Sequence, residues 1–352
     1  MAVWSIIDYQ DTPGKRFDPE YYQPEYLELA NHLSKIDTVF INDFAYVTDG
    51  IHGSPDFVEE NGISYLLAKC LGENYINISN ASLISEQQHQ LNPRTQACVG
   101  DVLLTTIGTV GKAAVVSDGL LPANLDRNLG IIRIKNTKEV SPYYLATFLN
   151  CKFGLFQTVR EATGNVQPAL FIDKIKKIVV PTGDKFNEIG KLTKLAYDKR
   201  RESEALSAEA EQLLLQELGL DNLDLSPQTS YVANFDETIE AKRIDAEYFQ
   251  PKYQIIVDHL LSNYEVKSLE ELGKVTKGRS ATYSEVGIPI IRSGDLTDLD
   301  SLNSLKYADS GQSLFYLKKY DVCISSIGFG SIGKVQLFDR DDKFATVSEV
   351  TV

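Results

Sequence analysis

The tract Gly328–Val335, GFGSIGKV, has the spacing of a phosphate cradle, in which a glycine-rich loop and the lysine that follows it hold a nucleotide. Two features argue against that chemistry. Val335 stands where a hydroxyl would hold Mg²⁺, and the continuation KVQLF is β-prone, so no helix N-terminus is aimed at a phosphate. A related tract, GTVGKA at Gly108–Ala113, has only two residues between its glycines. Both read as hairpin turns whose glycines supply positive φ, with Lys112 and Lys334 left near the tips. His52, in DGIHGS, reads as a structural or exposed loop histidine. No H-E-x-x-H, G-x-S-x-G or Pro-Pro occurs, so zinc-protease, nucleophile-elbow and base-gripping amino-methyltransferase constellations are missing. Cys70, Cys98, Cys151 and Cys323 have no C-x-x-C spacing and only four histidines accompany them, which gives no zinc pattern and suggests reduced, mostly buried thiols.

The turns instead carry polar donors. Thr105, Thr106, Lys112, Asn124, Arg127 and Gln167 lie in the first part of the chain, and Arg279, Arg292, Ser325, Ser326 and Lys334 in the second. Arg, Lys, Asn and Gln can bond phosphates or base edges in bidentate fashion, while Ser and Thr can fix register. Turn stabilisation is the competing role for each.

These residues sit on a sequence that repeats itself. RFDPEYYQPEY at Arg16–Tyr26 returns as RIDAEYFQPKY at Arg243–Tyr253, keeping Arg, Asp, Glu-Tyr, Gln-Pro and the last Tyr in place. Val47-Thr48 with Gly50 answers to Val275-Thr276 with Gly278. Asp101-Val102 followed by Leu104–Gly108 answers to Asp321-Val322 followed by Ile324–Gly328, and Gly111-Lys112 to Gly333-Lys334. The displacement drifts through 227, 228, 220 and 222 residues, as small loop insertions would make it drift. The units are far too long for a solenoid, so two domain-sized copies are expected. The second stops early: Val352 aligns near Ile131. One and a half copies, a natural truncation or a fragment, should be unstable or impaired alone.

Within the first copy, Pro19 and Pro24 disfavour a continuous helix across the tyrosine block, and Tyr26–Leu33 reads as a short helix. Short β-type runs between turn signals follow to about Ile134. Ser141-Pro142 then opens a packed helix, and IKKIVVP closes the unit as a strand. From about Phe186 to Leu218, Ile189, Leu192, Ala196, Leu206 and Leu213 fall near helical spacing, on a helix roughly 50 Å long at ~1.5 Å per residue. Such a stripe needs a partner, as half of a coiled coil or as a spacer between copies. The acidic DNLDLSPQTSYVANFDETIE reads as a linker. The expected class is α+β: residues 1–180 a first β-rich domain, 181–219 the long helix, 220–240 the linker, 241–352 an incomplete second domain.

Composition narrows the function. The chain has 352 residues, with 43% hydrophobic and 24% charged, ordinary for a globular protein. Neither a leader-like N-terminus nor a long apolar run is found, so a cytoplasmic location without membrane contact is expected. A net charge of −14 has the wrong sign for a protein that coats nucleic acid, so any such role is local or shared with partners.

In order, the tyrosine blocks, GDVLLTTIGTVGKAAVV (Gly100–Val116), YDVCISSIGFGSIGKVQLF (Tyr320–Phe338) and GNVQPALFIDKIKKIVVP (Gly164–Pro181) make the chain resemble the DNA-specificity subunit of type I restriction-modification systems. That resemblance implies two target recognition domains, each reading one half of a split site on double-stranded DNA, and two long helices paired as an antiparallel coiled coil. It implies two methyltransferase subunits and further restriction/translocase subunits as partners. S-adenosylmethionine, ATP and Mg²⁺ would be bound by those partners and no cofactor by this chain, which would be non-catalytic. The competing reading is a duplicated protein-interaction adaptor that dimerises through its long helix.

Overall fold

The computed structural model describes residues 4–12, 16–164, 166–297, 305–328 and 330–352; Asn165 and Phe329, inside two of the tracts quoted above, fall outside them. The chain divides into two units, Met1–Gln212 and Leu213–Val352. Helices and several small sheets make it α+β, as expected.

In the first unit the tyrosine block is a 3-10 turn, Pro19–Tyr22, and Pro24 opens helix α1 (Pro24–Leu33) at a position where its missing N–H costs nothing. Strand β1 (Thr38–Phe40), helix α2 (Ile41–Phe44) and strand β2 (Ala45–Asp49) follow, then β3 (Phe57–Val58), β4 (Ile63–Leu66) and β5 (Ser82–Ile84). Helix α3 (Glu86–Leu91) precedes β6 (Val102–Thr105), β7 (Ala113–Val115), β8 (Ala123–Leu125) and β9 (Leu129–Ile134). Helices α4 (Pro142–Asn150), α5 (Lys152–Glu161) and α6 (Ile172–Ile175) lead to β10 (Val179–Pro181), which pairs antiparallel with β1. One sheet runs β2-β9-β6-β7 and the other β3-β5-β4-β8, with β4 and β8 parallel. The first sheet is buried on α4: Val102, Leu104, Ala113 and Val115 share a core with Tyr144, Leu145 and Phe148. Ser141 precedes α4 as expected, with Pro142 in its first turn, though its hydroxyl makes no capping bond.

Helix α7 (Asp184–Glu217) is as long as its periodicity suggests, but it is not the leucine stripe that anchors it. Phe186 stacks on Tyr144, Thr193 Oγ1 lies 2.7 Å from Thr147 Oγ1, and Tyr197 donates to Ser117 Oγ at 2.6 Å. Arg201 reaches Asp118 and Gly190 lies against Ser141. Residues 186, 190, 193, 197 and 201 share one helical face. Ile189, Leu192, Ala196, Leu206 and Leu213 remain exposed on another.

The second unit contains helix α8 (Phe235–Ala241) within the expected linker. The reason is a cap the linker reading passed over: the Glu237 carboxylate accepts from Asn234 N at 3.2 Å and from Asn234 Nδ2 at 2.9 Å. Helices α9 (Pro251–Asn263) and α10 (Leu269–Leu272) follow. Strands β11 (Tyr283–Ser284), β12 (Ile288–Ile291), β13 (Lys306–Ala308), β14 (Phe315–Tyr316) and β17 (Ala345–Thr346) form one sheet, ordered β11-β13-β12-β17-β14. Strands β15 (Asp321–Ser325), β16 (Val335–Phe338) and β18 (Val350–Thr351) form the other, ordered β16-β15-β18. This is the first unit's topology again. β12 and β17 are parallel, as are β4 and β8, and Thr276 exchanges two 2.8 Å backbone bonds with Val352 where Thr48 pairs with Ile131. The glycines of GFGSIGKV, whose spacing also satisfies G-x-G-x-x-G, close the antiparallel β15–β16 hairpin and open no helix.

Gly50 and Gly278 mark the same crossing in both units. A Cβ on Gly50 would lie 2.0 Å from the Leu125 carbonyl oxygen, and one on Gly278 would lie 2.3 Å from that of Val347. Backbone packs on backbone here, so no rotamer can relieve the overlap. Gly50→Ala and Gly278→Ala should each destabilise their own unit by about 3 kcal/mol, in the range for overpacking. Gly273→Ala, with open space and extended backbone, is the neutral control. Urea titration of the three variants checks this.

Candidate nucleic-acid interface

The tract GDVLLTTIGTVGKAAVV folds as the β6–β7 hairpin, and its entry is fixed by an aspartate. Asp101 accepts from Cys98 N at 2.8 Å, and Asp321 accepts from Lys318 N at 2.8 Å in the second unit. Each carboxylate mimics a turn and starts the strand at a defined residue. In the first unit, Arg133 clamps Asp101 with bonds of 2.8 and 2.7 Å while Asp101 is almost fully buried.

At the far end, Thr105 N donates to Lys112 O and Lys112 N donates to Thr105 Oγ1, closing the turn over Gly108 and Gly111, both at positive φ. Ser325 N donates to Lys334 O in the same way. The tip then meets the third tract: Gly108 N donates to Pro168 O at 3.1 Å, Leu170 N donates to Thr106 O at 2.8 Å, and Ile107 bridges Ala169. Two family-like tracts far apart in sequence thus build one surface, with Gln167 exposed beside Gly108.

The polar residues singled out from sequence separate into two groups. Thr105, Thr106, Asn124 and Ser325 are buried and used internally. Asn124 Nδ2 donates to Thr95 Oγ1 at 2.9 Å and to Asn92 O, and its Oδ1 meets His89 Nδ1. Ser325 Oγ faces Ile327 O, and the partly buried Ser326 donates to Glu349 O at 3.1 Å. Turn stabilisation is what these groups do here: a hydroxyl or amide at a hairpin closure is drawn in by unpaired backbone. Arg292 forks onto Asp295 at 2.9 and 3.0 Å, and Arg279 bonds Ser313 Oγ. Lys112, Arg127 and Lys334 form no ion pair among the described residues, and Lys112 and Lys334 occupy equivalent hairpin positions.

Sequence reading missed Arg94 and Asp49. The Arg94 guanidinium bonds Thr48 Oγ1, Asp49 O and Asp49 Oδ1, and His52 Nε2 lies 2.7 Å from Asp49 Oδ2. Arg94 reaches Thr48 and Asp49 beside the Gly50 crossing from more than forty residues away in sequence, so no local spacing could have flagged its part in the cluster. Of the cysteines, Cys70 and Cys323 are buried and Cys98 is exposed; burial pushes the Cys323 thiol up to about 12. No helix among the described residues is long and apolar enough to cross a membrane.

Among solved structures, the chain is similar to the S subunit of a type I restriction-modification system from M. genitalium, with 13% identity and a TM-score of 0.43, over 90% of this chain and 71% of that one. It is also similar to the HsdS subunit from Thermoanaerobacter tengcongensis, with 16% identity and a TM-score of 0.33, over 90% and 74%. The type IIG restriction endonuclease BpuSI matches over 50% of this chain and 28% of its own, with 7% identity and a TM-score of 0.39. No protein-family model and no curated protein sequence matches the chain.

Arg133→Met would leave the Asp101 carboxylate buried without its cation, a loss of about 3–5 kcal/mol. The first unit's unfolding midpoint should fall accordingly in chemical denaturation.

Proposed function

We propose that this chain is the DNA-specificity subunit of a type I restriction-modification assembly, with each unit reading one half of a split site on double-stranded DNA. The observation that carries the reading is the repetition of one strand-turn framework. Both units close the same hairpin through Thr105–Lys112 or Ser325–Lys334 and set an equivalent lysine beside its tip. The ordered motifs of the sequence support it further, and so does the free apolar stripe of α7. In this reading Lys112, Arg127, Gln167, Arg279 and Lys334 touch phosphates or base edges. Thr105, Thr106, Asn124, Ser325 and Ser326 hold the loops that carry them, and Arg292 acts through Asp295.

Methyltransferase subunits would dock along Leu192, Leu206 and Leu213 and would bring S-adenosylmethionine and the transfer chemistry. The restriction/translocase subunits would bring ATP and Mg²⁺. An acidic chain gains from such enclosure, because the partners share the cost of holding a polyanion.

The test is reconstitution with methyltransferase subunits and a pool of random duplexes. Selection should enrich a two-part site with a fixed spacer. A binding signal indifferent to sequence, or none, would overturn the reading in favour of an adaptor. Lys112→Ala and Lys334→Ala should each lower the slope of log affinity against log salt by about one. Leu206→Asp with Leu213→Asp should weaken association with the methyltransferase subunits at least about tenfold without moving the thermal transition, since both side chains are exposed in the chain alone. Calorimetry and sedimentation read those two effects separately.

A further inference from the structure

The glycine crossing is built alike in the two units, but the side chains that leave it are different. Beyond Gly50, Ile51 N donates to Leu125 O at 2.7 Å and Ile51 bridges Asp126 in parallel, which sets His52 and Arg127 next to each other in register. Beyond Gly278, Arg279 N donates to Thr346 O at 3.2 Å, and the residues next in line, Ser280 and Ser348, bring their Oγ atoms to 3.3 Å. His52 with Arg127 and Ser280 with Ser348 are therefore the same pair of positions.

The turn beneath the pair is also the same. Leu129 N donates to Asp126 O at 2.9 Å, and Val350 N donates to Val347 O at 3.0 Å. Thr106 N donates to Asn128 O at 2.9 Å, and Ser326 N donates to Glu349 O at 2.9 Å. In the first unit side chains add to this hold: the Asp126 carboxylate accepts from Asn128 N at 2.9 Å and from the hydroxyl of the buried Tyr65 at 3.0 Å. Both neighbours of Arg127 are thus pinned. Arg127 itself is exposed, with no hydrogen bond or ion pair among the described residues.

An arginine on such a turn suits a base edge better than a phosphate. Because the backbone is already fixed, only the side chain has to be ordered on contact, and its planar fork matches two acceptors side by side. Thr106, which pins the turn, also accepts from Leu170 N at 2.8 Å, so Arg127 shares a surface with the hairpin tip and with Gln167. The charge nearby is negative: Asp126 precedes Arg127, and Asp49, bonded to Arg94, lies 2.7 Å from His52 Nε2. A guanine edge offers two neutral acceptors, O6 and N7, and escapes the repulsion a phosphate would meet.

We propose that the pair of positions at the crossing determines base specificity, and that Arg127 reads a guanine in the first unit's half-site through paired bonds to O6 and N7. In the second unit the same place offers the short hydroxyls of Ser280 and Ser348 instead of a fork. One framework thereby presents different chemistry to the two half-sites. The inference rests on the DNA-reading role proposed above, and adds which residue reads and which base it selects.

The test uses the chain reconstituted with methyltransferase subunits and selected on random duplexes. The wild type should enrich a two-part site with an invariant G·C pair at one position of one half. Arg127→Ser should lose at least about tenfold of the discrimination at that pair and keep the rest of the site. Arg127→Lys, which retains the charge without the fork, should lose it as well. Ser348→Arg should add a G·C preference at a single position of the other half. Circular dichroism verifies that each variant keeps its fold, which surface positions allow. An affinity that falls equally for all sequences with Arg127→Ser and returns with Arg127→Lys would make the residue a phosphate contact, and would overturn the inference while the specificity-subunit reading stands. A site unchanged by Arg127→Ser, or a second half-site unchanged by Ser348→Arg, would overturn it in the same way. Enrichment of no site by the wild type would overturn both.

Discussion

Everything in each unit is organised around one place where main chain lies on main chain. At Gly50 the chain leaves β2 and passes over the end of β8, and Ile51 N donates to Leu125 O at 2.7 Å. Four residues after Leu125, β9 begins in the other sheet. The crossing therefore ties the two sheets together at the point where the chain changes from one to the other. Gly278 does the same over Thr346 and Val347, with Arg279 N on Thr346 O. A side chain at either glycine would push the sheets apart, and the hairpin, the Arg94–Asp49–His52 cluster and the loop bearing Arg127 would lose their common base.

How much of this was legible in the sequence follows from the range of the interactions involved. The duplication was readable because it is written in residue identities, and the hairpins because glycine-lysine tracts and β-prone runs are local signals. The paired Asp101 and Asp321 were visible as a repeated dipeptide, though nothing local revealed that Arg133 reaches Asp101. The assignment of polar residues was less successful. Thr105 and Asn124 look like ligand donors by type, but whether a hydroxyl or amide faces outward depends on which backbone groups the fold leaves unpaired nearby. Helix α8 was hidden in an acidic stretch that read as linker, although its Asn-x-x-Glu cap was present. The face of α7 that docks was also illegible: leucine periodicity announced a stripe, while the anchoring side is made of Phe186, Gly190, Thr193, Tyr197 and Arg201, a mixture that no hydrophobic pattern picks out.

Helix α7 consequently presents two different faces. Its first turns are fixed to the first unit by aromatic stacking and hydrogen bonds, which are directional, while Leu192, Leu206 and Leu213 stay exposed. Directional anchoring sets the rotation of the helix about its axis where it meets the first unit. At its other end, His259 and Tyr264 lie 2.7 and 2.6 Å from the Leu218 and Glu217 carbonyls, meeting acceptors that a helix C-terminus cannot satisfy internally.

The hairpins differ in one respect that matters for how such a protein changes over generations. Thr105 and Lys112 are closed by the same bond as Ser325 and Lys334, yet the second tip is longer by two residues. Closure is performed by the backbone at the base and strand entry by the aspartate, so neither depends on what lies between. Insertions at the tip are therefore nearly free in folding energy, as loop-closure entropy rises only slowly with length. A molecule built this way can acquire a new outer surface by drift in its loops while its scaffold stays under unchanged constraint.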